Sequence, residues 1–365
     1  MSEHFDIVVI GAGIAGASLA AELAPHASVL IAEAEDMPGY HATGRSAAFW
    51  DECYGGQGVV PLTLASGPWF AERGFLNRRG AVHLAAADQL DQLDSFEREF
   101  TGSGATITRL DRADLDVRLA GLRPQWVAAI EEPNCCDIDV GGVHQHYLTQ
   151  AKRDGAQLRN SCRLANAAHE NGRWSLTFEN GDQISCKTLV NAAGAWADAV
   201  AAMADVQPLG IAAYRRSVAQ LRIQPAPSPA LPLVLGIDGS FYFKPENGRI
   251  WLSPHDETPS PACDVAPEEI DIARAIDRLE SVVDWKVEAV ERKWAGLRSF
   301  SPDRLPVYGL DTGNADFFWF AGQGGFGIQT APAAARLAAQ LLLGMPRDAM
   351  TQHLDMAIYT PERFG

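Results

Sequence analysis

Three glycines, Gly11, Gly13 and Gly16, separate an apolar run, Phe5 to Ile10, from an Ala/Leu-rich run, Ala17 to Leu23. A second apolar run, Ser28 to Ala32, ends at Glu33, seventeen residues past Gly16. This is the order strand, glycine turn, helix, strand, acid. Gly11 permits a tight turn, Gly13 lets a diphosphate approach the backbone, and Gly16 lets the helix pack close to the strand. The free N–H groups and positive dipole end of the helix, which would open at Ile14 and Ala15, attract the diphosphate. Glu33 stands where a carboxylate can accept from a ribose hydroxyl, with Ala34 beside it. The pattern predicts dinucleotide binding.

The next stretch, Met37 to Ala48, points to FAD rather than a nicotinamide. A nicotinamide domain would continue with another helix and strand. Here the chain offers a long loop of small and polar residues, with Thr43, Gly44, Arg45, Ser46, Ala47 and Ala48 able to run beside a flavin. Two later small-residue turns point to the same cofactor. Val190 to Trp196 reads as a strand entering a turn, with Ala192, Gly194 and Trp196 at the carboxyl end where such sheets meet nucleotides. Gly322 to Gln329 is a glycine loop between the strand Phe317 to Ala321 and a helix, Thr330 to Leu343. Gly322, Gly324 and Gly327 repeat the dinucleotide spacing, but no strand and acid follow. The loop is therefore expected to return to the first cofactor, with the helix start facing the electron-rich end of a reduced flavin.

Several further elements must position these turns. Residues 49 to 80 mix Phe49, Trp50, Tyr54, Trp69 and Phe70 with Gly55, Gly56 and Gly58, which suggests a lid or a packed domain interface. Asp88 to Phe100 and Asp111 to Leu119 read as polar helices, and Val143 to Ala151 as another. Residues 157 to 190 read as a β-meander turning at Asn180-Gly181-Asp182. Arg215 to Ile223 is a strand, and Phe241 to Pro245 with Arg249 to Ser253 a hairpin. Pro267 to Val283 is an amphipathic helix with Ile270, Ala273, Ile276 and Leu279 on its apolar side. The expected fold is α/β: a Rossmann-like FAD-binding domain of the glutathione-reductase type, with an inserted mixed-sheet domain roofing the cofactor. The FAD domain is discontinuous, 1–48, 140–205 and 296–365. The substrate domain takes 49–139, including the lid loop, and 206–295.

The chain of 365 residues suffices for two such domains, and 47% hydrophobic with 21% charged residues is ordinary for a soluble globular protein. A formal charge of -16 argues against nucleic acid or an anionic membrane surface as partner. The six cysteines include no CxxC pair, and adjacent Cys135-Cys136 suit neither zinc nor a simple disulfide. His144 and His146 are two apart and share no helix face, so no metal site is expected. No basic leader or membrane-length apolar run appears, and a cytoplasmic location is expected.

The ordered set of Gly11/Gly13/Gly16 with Glu33, Gly39 to Ala48, Asn191 to Trp196, Trp294 to Arg298 and Gly322 to Gln329 resembles the D-amino acid oxidase family of FAD-dependent oxidoreductases. Within it, the bacterial D-arginine dehydrogenase branch is the nearest likeness. The resemblance spans nearly the whole chain. It implies hydride transfer from the α-carbon of an amino acid to flavin N5, with the imine then hydrolysing to a 2-oxo acid and ammonia. It implies that Arg298 and Tyr242 hold the substrate carboxylate, with Arg216 a second arginine at the substrate end. Tyr54 becomes a lid tyrosine, the Gly296 carbonyl receives the substrate amine, and Gln329 lies near flavin and substrate. The cofactor set is Gly11, Gly13, Ile14, Ala15, Gly16, Glu33, Ala34, Thr43 to Ala48, Leu164, Ala192, Gly194, Trp196, Gly325, Phe326, Gly327, Ile328 and Gln329. FAD is expected to be noncovalent, with His41 the one conceivable covalent anchor.

Two departures bear on the substrate. Phe49 stands where that branch has a histidine. Gly80 stands where it has a carboxylate for a cationic side chain. A neutral or apolar D-amino acid is therefore expected. The alternatives are a secondary amine of the sarcosine or glycine type, a 2-hydroxy acid, or a non-catalytic flavin-binding redox module. The sequence leaves dioxygen, a quinone and a redox protein open as electron acceptor.

Overall fold

The computed structural model describes residues 3–365. An eight-stranded sheet carries the nucleotide motif and a ten-stranded mixed sheet faces it, with a small three-stranded sheet between. In the first sheet, Glu3–Ile10 lies between Val29–Ala32 and Gln183–Asn191, all parallel, with Phe317–Ala321 parallel beyond Gln183–Asn191. Strands buried on both faces need continuous apolar runs, and Val29–Ala32 and Phe317–Ala321 are buried at every residue. The helices Ile14–Leu23 and Gly327–Leu343 pack together on one face, with Val60–Glu72 and Val140–Arg153 against them.

The ten-stranded sheet is built around the long antiparallel pair Ala212–Gln224 and Lys286–Phe300. The helix Glu269–Val282 covers its outer face. That helix buries Ile272, Ala275, Leu279 and Val282, while Ile270 is exposed. Of the expected stripe, Leu279 is buried and Ile276 packs partly on the core, while Ile270 and Ala273 are exposed, so the buried face is turned toward Ile272 and Ala275. The stripe through Ile272 wins because it meets the aromatic and branched residues on the back of the sheet, among them Phe243 and Leu252. The helix covers that outer face; the sheet itself roofs the cavity.

Two boundaries differ from expectation. The strand Lys286–Phe300 stays in one sheet throughout, so a domain break at 296 falls inside it. Residues 49 to 80 are not one lid: they contain the helix Val60–Glu72, whose Leu62, Trp69 and Phe70 join the core of the nucleotide half. Pro61 and Pro68 masked this helix in the sequence. The first sits at its opening turn, where a missing N–H costs nothing. The last helix starts at Gly327, earlier than expected. The short strand Gln157–Arg159 pairs with Val29–Ala32 and does not join the meander hairpin.

Candidate active site

One large cavity lies between the carboxyl ends of the parallel strands and the inner face of the mixed sheet. It spans ≈1790 Å³ of space between atoms, counting its open mouth. At one end it is lined by Gly11, Gly13, Ile14, Ala15, Glu33, Ala34, Thr43, Leu164, Ala192, Gly194 and Trp196. At the other end stand Arg216, Tyr242, Gly296, Arg298, Gly325, Gly327 and Ile328. Arg45, Ser46 and Ala47 also line it.

The glycine turn makes the nucleotide end. Gly11 has φ +101, and a methyl group there would lie 2.7 Å from the Ala192 carbonyl oxygen. A methyl group at Gly16 would lie 1.8 Å from the Gly11 carbonyl oxygen, so only glycine allows the helix to approach the strand. A methyl group at Gly13 would meet Thr43 Oγ1 at 3.1 Å. That Thr43 oxygen accepts from the Ile14 N–H at 2.9 Å. Glu33 accepts from the Ala12 N–H at 2.7 Å and the Glu35 N–H at 3.0 Å. The residues thus fit a dinucleotide: a cradle that side chains would fill, a helix start, and a fixed carboxylate.

His41 lines this cavity with its Nε2 3.0 Å from Glu35 and its ring 4.6 Å from that of Trp196. The Arg45 guanidinium turns toward the mixed sheet, donating to the carbonyls of Val265 and Ala295 at 3.1 and 3.2 Å. It therefore ties the flavin-side loop to the roof.

Strand register makes the other end. Arg216 pairs with Gly296, and Tyr214 with Arg298, on neighbouring antiparallel strands. Arg216 and Arg298 are therefore diagonal neighbours on one face, and period two puts Val218 beside Arg216 at the cavity. Tyr242 joins them from the hairpin, while Phe241 and Phe243 point into the back core. Arg298 Nη1 donates to the Tyr54 hydroxyl at 2.5 Å. Arg216 donates through Nε to the Asp256 carbonyl at 2.8 Å and through Nη2 to Glu257 at 3.1 Å. Its Nη1 is buried with no hydrogen-bond partner. Burial, and then the positive charge of Arg298, push Arg216 down to about 10, so it remains a cation at neutral pH.

Six expected site residues do not line the cavity. Gly16 serves helix packing, and Gly44 closes a loop by donating its N–H to the Gly39 carbonyl at 2.7 Å. Ala48 packs on the nucleotide-half core and Phe326 on Val59 and Phe300. Tyr54 does not line the cavity, but its hydroxyl accepts from Arg298 and lies beside Gly325, both of which do. Gln329 points the other way: its Nε2 donates to the Thr63 hydroxyl at 2.8 Å and to the carbonyls of Asp51 and Tyr54 at 3.2 and 3.3 Å. It fastens the Tyr54 turn to the last helix and does not line the cavity.

Sequence reasoning missed one cluster. Asp51, His83 and Glu132 are buried with their ligand atoms within 4.8 Å of one another, the one group of three metal-capable side chains among the described residues. They come from three distant segments with no spacing signal. Cys263 and Val265, on an irregular segment, also line the cavity unforeseen.

Residues 6–341 match the family model described as FAD dependent oxidoreductase, DAO. Hydrogen cyanide synthase subunit HcnC of Pseudomonas aeruginosa is 24% identical over 360 residues, covering 85% of each chain. The structure of L-proline dehydrogenase from P. horikoshii superposes with a TM-score of 0.85 at 22% identity, covering 100% of this chain and 98% of that one. Glycine oxidase from Geobacillus kaustophilus gives 0.82 at 22%, covering 98% of both. These likenesses support the family and do not single out its D-arginine branch. With the match spanning nearly the whole chain and the cavity fitting the cofactor, this chain belongs to the DAO family of FAD-dependent oxidoreductases.

Proposed function

We propose that the chain oxidises the carbon–nitrogen bond of a small amino acid, holding the substrate carboxylate at the arginine end of the cavity. One observation carries this reading: Arg216 and Arg298 share a sheet face, and Arg216 Nη1 is a buried donor without an acceptor. An unmet buried donor costs free energy, and a carboxylate supplies the missing acceptor. Arg298 uses one nitrogen on Tyr54 and keeps its others for the same ligand, with Tyr242 beside them. When bound, FAD supplies the two-electron acceptor. The protein's part is orientation: the arginines and Tyr242 fix the carboxylate, the Gly296 carbonyl accepts from the amine, and the α-hydrogen is aimed at the flavin. Neither carboxylate nor imidazole lines the cavity on the sheet face, among the described residues. No side chain there acts as a base on carbon.

The substrate is a neutral or apolar amino acid of D configuration. Neither Phe49 nor Gly80 lines the cavity, but Phe49 packs edge-on to Tyr242 at 6.2 Å, with Lys244 Nζ 5.1 Å from its ring centre. Lys244 and Arg79 both bond Asp137. Lys244 also bonds Glu246, so the carboxylates of this neighbourhood are already paired and none is free for a cationic substrate tail. A second reading is oxidation of a glycine- or proline-like amine, favoured by the names of the two structural relatives. An anaerobic absorbance titration of the flavoprotein decides between them. D-amino acids, L-amino acids, glycine, sarcosine, proline and 2-hydroxy acids are added separately. Bleaching by neutral D-amino acids supports the first reading, bleaching only by glycine, sarcosine or proline the second, and no bleaching by any amine refutes both.

A further inference from the structure

The buried cluster outside the cavity surrounds the turn that presents Tyr54. Asp51 is 3% exposed, Glu132 0% and His83 8%. Asp51 Oδ1 accepts from the N–H groups of Cys53 and Tyr54 at 3.0 and 2.9 Å. Glu132 Oε2 accepts from the same Cys53 N–H at 3.0 Å, and its Oε1 lies 2.7 Å from His83 Nε2. An oxygen of each carboxyl group lies within 4.8 Å of the other's. Two buried carboxylates in contact cannot both ionise without a cation between them. Here the one basic side chain at Glu132 among the described residues is His83, which burial pushes down toward its neutral form, and Asp51 has no ion-pair partner.

We propose that Asp51 and Glu132 share one proton, and that the shared pair positions the Tyr54 turn and through it Arg298. The arrangement satisfies every group. Asp51 donates its O–H to Glu132, whose carboxylate also receives the Cys53 N–H and the His83 Nε2–H. Asp51 Oδ1 stays free to hold the turn. The other neighbours are Glu52, the thiols of Cys53 and Cys135, and the neutral Gln329, Thr63 and Phe96. None can neutralise a second negative charge. Loss of the proton leaves two adjacent anions beneath the turn, which then loosens and frees Tyr54 from Arg298. Burial and then the neighbouring Glu132 push Asp51 well above the usual carboxylate range, so this loss comes only as the pH is raised well past that range. Asp51 and Glu132 are positioning residues. Their effect on ligand rests on the carboxylate reading of the cavity.

The test uses the FAD-loaded protein, comparing wild type with Asp51→Asn and Asp51→Ala. One readout is hydrogen exchange of the segment 50–58, corrected for the intrinsic pH dependence of exchange. The other is benzoate binding followed by flavin absorbance. In wild type, protection of 50–58 falls toward alkaline pH and the benzoate dissociation constant rises about tenfold, the loss of one charge-assisted hydrogen bond. Asp51→Asn keeps an acceptor for the turn and has no proton to lose, so it holds protection and affinity across the range. Asp51→Ala lacks both at every pH. An unchanged alkaline response in Asp51→Asn, or full protection in Asp51→Ala, overturns the proposal. So does a stoichiometric divalent metal in the purified protein whose chelation exposes 50–58. If the segment behaves as stated while benzoate perturbs the flavin in no variant, the shared proton stands and the carboxylate reading falls.

Discussion

Replacing Arg298 by alanine removes the donors that the cavity presents to a carboxylate while leaving the nucleotide end untouched. The structure sets the size of the effect. One guanidinium nitrogen of Arg298 is occupied by Tyr54, which leaves a two-pronged fork for the ligand. A hydrogen bond to a charged group contributes ~1.5–3 kcal/mol, so two give at most ~6 kcal/mol. Arg216 Nη1 remains to hold one carboxylate oxygen. The net loss is then about 3 kcal/mol, or roughly 150-fold in dissociation constant. The assay is the anaerobic reductive half-reaction, followed by flavin bleaching over a range of substrate concentration. The dissociation constant should rise by that factor, and the limiting rate should fall as well, because orientation is lost with affinity. Flavin content should stay at wild type. Arg216→Met removes one donor and should weaken the substrate about 13- to 150-fold, with the double variant less than additive because the two arginines serve one ligand. Unchanged substrate affinity in Arg298→Ala, with flavin bound, would refute the reasoning.

Gly16→Ala should give a poorly folded, flavin-poor protein, since its methyl group would overlap the Gly11 carbonyl oxygen at 1.8 Å; flavin-to-protein absorbance ratio and yield measure it. Acid precipitation should release all the flavin into the supernatant, because His41 Nε2 is engaged by Glu35; yellow colour retained in the pellet would contradict this. Neutral D-amino acids should show a higher kcat/KM than D-arginine or D-lysine, and the reverse order would remove the argument from Lys244 and Arg79. Asp51→Asn should raise Tm, with a gain that widens as pH rises. The folded carboxyl keeps its proton above the unfolded pKa of about 3.9, so ionisable Asp51 costs stability progressively from there up to its raised folded value. An equal or shrinking gap in a pH series of thermal melts contradicts that sign.

The nucleotide end was legible because its signals are local. Gly11, Gly13, Gly16 and Glu33 act within one strand–turn–helix–strand unit, and the clash that excludes a side chain at Gly16 lies inside it, although the neighbours of Gly11 and Gly13, Ala192 and Thr43, come from outside. The arginine end is different. Arg216 and Arg298 are eighty-two positions apart, and only pairing between their strands makes them neighbours. The sequence shows one of the two strands, Arg215 to Ile223, and no register, so the two arginines were brought together only by family resemblance. Gln329 shows the opposite failure. Its position beside the glycine loop suggested cofactor contact, yet it sits on the first turn of a helix, and the turn's rotation aims its amide at Asp51 and Tyr54. Asp51, His83 and Glu132 were invisible for the same reason as the arginines: long-range packing alone assembles them.

The same register explains how a chain of net charge -16 can keep a cationic pocket. Side chains alternate faces along a strand, so a slip of one residue between Ala212–Gln224 and Lys286–Phe300 would part the two arginines and put one into the back core. Burial first, and then the like charge of Arg298, depress Arg216. The Asp256 carbonyl and the Glu257 carboxylate accept from its Nε and Nη2 without lining the cavity. The front is thus left with an unmet donor and a surplus of positive charge. An anionic ligand relieves both at once, so substrate binding should raise thermal stability beyond what FAD alone provides. A carboxylate-bearing inhibitor should do the same in wild type and lose most of that effect in Arg298→Ala. An uncharged amide of the same shape that stabilises the protein equally well would show that the arginines are structural.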